Sequence, residues 1–200
     1  MSDERTIPNW AFSTSLKGYL LAQRRGYFLV MERMISPLEI LLDEIERALD
    51  AGFFYLAVAT TLTLPDICVS LVAEDGRSNG VLYKAWCDKN LGSDFGWVTG
   101  EDLYSFRCGV SHNGRFGDLK HNVARVVFAL PGGGIRLQNG RLNDAYVYSA
   151  DEFCRNFMNA VRRWYDANKD DCNLAANLDR LVQYRAKGLA PYVIGVPLLA

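Results

Sequence analysis

The chain has 200 residues, half of them hydrophobic, which suits one ordinary globular domain whose core needs no metal or disulfide staple. Lys and Arg number 22 against 23 Asp and Glu, and a formal net charge of -1 argues against wholesale electrostatic binding of nucleic acid while leaving room for a local basic site. Five cysteines, an odd number with no C-x-x-C pair, read as buried reduced thiols of a cytosolic protein, and the two histidines lack the paired spacing of a zinc site, so no metal and no cofactor is expected.

Residues 1–30 show no sustained period, and two readings stay open for them. They form an arm that lays Trp10, Phe12, Tyr19 and Tyr27 on the body or on a partner, or they are an over-called start ahead of Met31 or Met34. Residues 31–200 are expected to make one domain. No secretory leader is read at the start, and the longest apolar stretch, Gly52 to Leu64, is too short to span a bilayer. The expectation is a soluble, cytoplasmic protein without a membrane partner.

The first clear element is SPLEILLDEIERALD. Ser36 suits a cap, Pro37 the first helical position, and Glu39 a capping box, while Leu38, Leu41, Leu42, Ile45 and Leu49 form one apolar face. Gly52 ends or kinks this helix. Phe53 to Leu64 is apolar on nearly every side and predicts a buried central helix, with Phe53, Phe54 and Tyr55 in the core. Pro65 restarts a helix through Ala73, EDGRSNG makes the exit loop, and VLYKAWCDKNL predicts a short helix burying Leu82, Tyr83 and Trp86. After the GSDFGW loop, Thr99 caps a further helix whose first turn holds Glu101 and Asp102, where the helix dipole favours negative charge. Asn113-Gly114 ends it, because both residues tolerate the left-handed conformation.

The period then changes. ARVVFAL, GIRLQ and AYVYS, separated by PGGG and NGRLND, predict a small antiparallel β insertion at about 123–148. PGGG lacks the Lys and Ser/Thr of a phosphate loop and reads as a hairpin turn. Ser149 to Lys169 returns to helix with Phe153, Phe157, Ala160, Val161 and Trp164 on one face, and another helix covers roughly Leu174 to Tyr184. The apolar tail APYVIGVPLLA is expected to add an edge strand to the small sheet. The fold class is mainly α with a small β insertion.

Arg107 and His112 on the Thr99-capped helix form R-x4-H. With the amphipathic, buried and short helices before it, over about 38–114, this resembles the HEPN superfamily of helical bundles, whose members carry an R-x4-6-H motif on a late helix. A second match, Arg115 and His121 in RFGDLKH, lacks a helical pattern. The resemblance implies RNA as target, a metal-independent endoribonuclease of a toxin, defence or stress system, and a homodimer that builds the site from two motif helices. In that chemistry an imidazole takes the 2′-hydroxyl proton and an arginine steadies the phosphorane oxygens. Five residues along an ideal helix is about 500°, so the Arg107 and His112 side chains diverge by roughly 140° and one helix alone aims them poorly. The family's active members often have a polar residue after the arginine; here it is Cys108, a weak donor. Cys108 and His112 also share a helix face, as a thiol nucleophile and its base would. Arg115, Arg155 and Arg162 are candidate contacts to RNA phosphates, against the plainer reading of a solvated face. The competing function is a catalytically inactive helical module that dimerises or binds a protein partner.

Overall fold

The computed structural model describes residues 36–96, 98–116, 125–132, 140–143 and 145–200, and within it residues 37–200 make one compact unit. The arm at 1–30, His121, the GIRLQ strand and half of the PGGG turn lie outside the described residues. Helix α1, Pro37–Asp50, buries Leu38, Leu42, Ile45 and Leu49, the face that the apolar spacing predicts. Gly52 closes it with a φ of 78°, a conformation that costs glycine little. Helix α2, Phe54–Thr61, and helix α3, Leu64–Val72, follow with a short break between them. Thr63 marks that break, its hydroxyl donating to the Thr60 carbonyl at 2.7 Å, and Pro65 then occupies the first turn of α3.

Together Phe54–Val72 is the one described helical stretch long and apolar enough to cross a membrane, with a mean hydropathy of 1.6. Half of it is buried inside the protein, including Ala57, Val58, Leu62, Leu64, Cys68 and Leu71. The expectation that Phe53, Phe54 and Tyr55 belong to the core is corrected here. Phe53 and Tyr55 are exposed, as is Leu56, and Phe54 is half-buried. An all-apolar run carries no mark of its buried face; α2 is two turns long and turns only Ala57, Val58 and Thr61 inward.

Helix α4, Gly80–Asn90, starts at Asn79, whose side chain accepts from the Val81 and Leu82 amides. It buries Tyr83, Trp86 and Cys87, whereas Leu82, expected inside, is exposed. A 3-10 turn, Gly92–Phe95, drops Phe95 into the core. Helix α5, Gly100–Asn113, crosses α4 and carries the motif.

Strands β1, Arg125–Ala129, β2, Gly140–Leu142, and β3, Ala145–Ser149, form one sheet in the order β1-β3-β2. The antiparallel expectation is corrected here: β1 runs parallel to β3 from Arg125↔Ala145 to Ala129↔Ser149, and β2, which is antiparallel to β3, falls in the NGRLND stretch that the sequence reads as a turn. Parallel neighbours need a long return connection, and the stretch from 130 to 144 supplies it. Central β3 buries Tyr146, Val147 and Tyr148. Ser149 then caps helix α6, Ala150–Asn168, by accepting from the Glu152 amide.

Helix α6 is the axis of the fold, packing on α1, α2, α3 and α4. Its Phe153 and Phe157 meet Phe95 edge-on at 5.3 and 5.0 Å, and Phe128 and Tyr148 from the sheet join them. Helix α7, Cys172–Leu178, is shorter than predicted and packs on α3. Its Asn177 amide donates to the Leu71 and Ala73 carbonyls at 3.2 and 2.9 Å, satisfying the end of α3. The tail does not join the small sheet. Tyr184–Arg185 (β4) pairs with Leu198–Leu199 (β7), and Gly188–Leu189 (β5) with Val193–Ile194 (β6), as two separate ribbons. The protein is mainly helical with small sheets.

Candidate active site

The motif helix is fixed at both ends by its own sequence. Thr99 is extended, its Oγ1 accepts from the Asp102 amide, and Asp102 accepts from the Thr99 amide at 3.0 Å, a reciprocal capping box. The Asp88 carboxylate of α4 accepts from the Gly100 amide at 2.6 Å, so a second carboxylate meets the positive end of α5. At the other end Gly114 is left-handed, with φ 64°, directly after Asn113. Leu103, Phe106 and Val110 face the core and hold the rotation of the helix.

That rotation turns Arg107 toward α3. Its Nε donates to Asp66 Oδ2 at 2.8 Å, and the Ser78 hydroxyl donates to the other Asp66 oxygen at 2.6 Å. The pair is 27% and 18% exposed, which makes it the most sheltered ion pair among the described residues. Burial alone lowers the pKa of the Arg107 guanidinium, but the charge and hydrogen bond of Asp66 outweigh it and the net shift is upward. Arg107 is a fixed, fully charged cation.

His112 lies on another side of the same helix, exposed in the last turn. With Glu101, Tyr104, Ser105, Cys108, Gly109 and Asn113 it lines a hollow of about 260 Å³. Arg107 is not part of that wall. Tyr104, Cys108 and His112 fall at successive turns and form its floor. The Cys108 sulfur, by charge and hydrogen bond, raises the pKa of the Tyr104 phenol, with burial adding to it. Lys84 sits 5.1 Å from the Tyr104 ring centre and pairs with Glu101 at 2.6 Å, which ties this wall to α4. Cys108 and His112, the thiol–imidazole pair considered from sequence, do share the hollow, and no described residue orients the imidazole.

The three arginines proposed for RNA phosphates fare differently. Arg115 is exposed just beyond the helix end. Arg155 and Arg162 are engaged in packing α6 on α1. Arg155 pairs with Asp151 at 3.0 Å and with Glu46, and Arg162 donates to Glu39 at 2.7 and 2.9 Å. The hydrogen bond that Arg155 donates to Asp151 leads the causes that raise its pKa. Sequence reasoning missed Asp66 altogether. It stands 41 residues before Arg107, as an ordinary first-turn acid after Pro65, and no local pattern joins the two. Among the described residues no group of three His, Cys, Asp or Glu side chains is gathered to hold a metal ion. Compared with models of known families, with curated proteins and with solved structures, the chain matches none.

Proposed function

We propose that this chain is a HEPN-like domain acting as a metal-independent endoribonuclease of a toxin, defence or stress system, cytoplasmic and assembled as a homodimer. One observation carries the reading. A helix capped at both ends presents a sheltered, charge-fixed arginine and a solvent-facing histidine five residues apart, on different sides. An ionised guanidinium suits the developing charge of a phosphorane, and a solvent-facing imidazole suits general-base chemistry. Because the two side chains diverge, a site holding both draws Arg107 and His112 from two motif helices related by a two-fold axis.

In that site His112 takes the proton of a ribose 2′-hydroxyl. The freed 2′-oxygen attacks the adjacent phosphorus, the bond to the 5′-oxygen breaks, and that oxygen takes a proton from water, which His112 replaces with the one it holds. Arg107 donates to the non-bridging oxygens while they carry the extra charge. The products are a 2′,3′-cyclic phosphate and a 5′-hydroxyl. The test is cleavage of RNA in excess EDTA by the purified chain and by His112→Ala. Cleavage by the wild type with cyclic-phosphate ends, reduced about 100-fold or more in the variant, is the expected result. No cleavage by either, or equal cleavage by both, removes the reading.

A second reading is favoured by a different observation. Phe53 and Leu56 are 59% and 57% exposed beside half-exposed Tyr55, which suits a catalytically inactive module that dimerises or binds a protein partner. Inert wild-type protein that still self-associates would select it.

A further inference from the structure

An arginine that serves a phosphorane must have its terminal nitrogens in place before substrate arrives, because a misplacement of about 1 Å costs on the order of 100-fold in rate. Arg107 is a long side chain on a helix surface, and within its own helix its side-chain partner is the weakly bonding Cys108 sulfur. The stronger hold comes from Asp66, in the first turn of α3, whose carboxylate accepts from Nε. Asp66 is itself fixed. One oxygen accepts from Arg107 at 2.8 Å and the other from Ser78 at 2.6 Å, so the plane of the carboxylate is set from two sides. Three separate parts of the chain, α3, the loop before α4 and α5, meet at this point. The remaining ion pairs among the described residues are more exposed, and those of Arg155 and Arg162 join α1 to α6 rather than holding a motif residue.

We propose that Asp66, steadied by Ser78, is the positioning residue of Arg107, holding the guanidinium by Nε so that it is presented to a phosphodiester. This role rests on the ribonuclease reading above. It assigns Asp66 no contact with RNA and no proton transfer, so its effect runs entirely through Arg107.

The test uses the full chain with protein in excess over labelled RNA. Asp66→Asn keeps the size and loses the charge. The expected result is a first-order cleavage rate lower by about 30- to 100-fold, with RNA affinity changed less than about threefold. In an Arg107→Lys background the same change costs less than about threefold, because the guanidinium it positions is already gone. The Arg107 Nε–H resonance, assigned by its loss in Arg107→Lys, moves to the position of a free arginine in Asp66→Asn. Should Asp66→Asn not fold, Ser78→Ala takes its place, with a loss of about three- to tenfold and the same dependence on Arg107. Either variant cutting at the wild-type rate overturns the proposal, as does a loss that adds in full to that of Arg107→Lys. An inert His112→Ala beside a fully active Asp66→Asn leaves the ribonuclease reading standing and removes only this role. A wild type that leaves RNA intact removes both.

Discussion

Arg155 and Arg162 show how a basic residue is spent on packing. From sequence they share a helix face with Asn159 and look available to phosphates. In the fold each finds carboxylates of α1 within ion-pair distance, and Arg155 adds Asp151 of its own helix. Arg115 stands exposed beside the motif and is the candidate that remains for the phosphate contact proposed above. Arg115→Ala is therefore expected to weaken RNA binding and to lessen its salt dependence by about one counterion. Arg155→Met should leave both unchanged and lower stability by about 1 kcal/mol, since partly exposed pairs contribute little. Filter binding across a salt series, with urea melts of the same variants, separates the two. A salt slope altered by Arg155→Met would return that residue to the RNA surface.

At the scale of elements, the motif helix is placed by a glycine. A Cβ built on Gly100 would lie 2.9 Å from the carbonyl carbon and Cα of Lys84, both backbone atoms that cannot rotate away. Alanine is the better helix former, so local propensity predicts that Gly100→Ala stabilises. The close crossing of α4 and α5 predicts the reverse, a loss of about 2–3 kcal/mol from overpacking. Urea unfolding decides the sign, and a neutral result would mean that the crossing opens easily. This helix was also the most legible element in the sequence. Thr99 with Asp102, and Asn113-Gly114, are local signals whose meaning does not depend on the rest of the chain. The strand pairing was not legible, because whether β1 lies parallel or antiparallel to β3 is decided by the path of the chain between them. The exposed side of α2 was hidden by its uniform apolarity, and Asp66 by its distance along the chain from Arg107. The candidate pair itself could be read; what holds one member and separates it from the other could not.

For the molecule as a whole, the chemistry of the core sets a limit on alkaline stability. Burial raises the pKa of the Cys68, Cys87 and Cys154 thiols and of the Tyr83 and Tyr148 phenols, and pushes Cys154 up to about 12. Each of these groups stays protonated in the fold at a pH where the unfolded chain releases the proton. Their contribution is complete below the unfolded thiol pKa, about 8.5, and is lost as pH rises from there through the folded values. Stability is thus expected to be flat from about pH 7 to 8 and then to fall by about 1 kcal/mol or more per pH unit. Melting temperatures measured from pH 7 to 11 test this, and an unchanged value at pH 11 would contradict it. Thiol labelling gives an independent view of the same core. Cys172 is exposed and Cys108 half-buried beside His112, so these two should react in the native protein. Cys68, Cys87 and Cys154 should react only at the rate of unfolding, because a buried thiol offers the reagent neither access nor thiolate. If Cys154 were labelled as fast as Cys172, α6 would not be packed as the axis of the fold, and the platform beneath the motif helix would be lost with it.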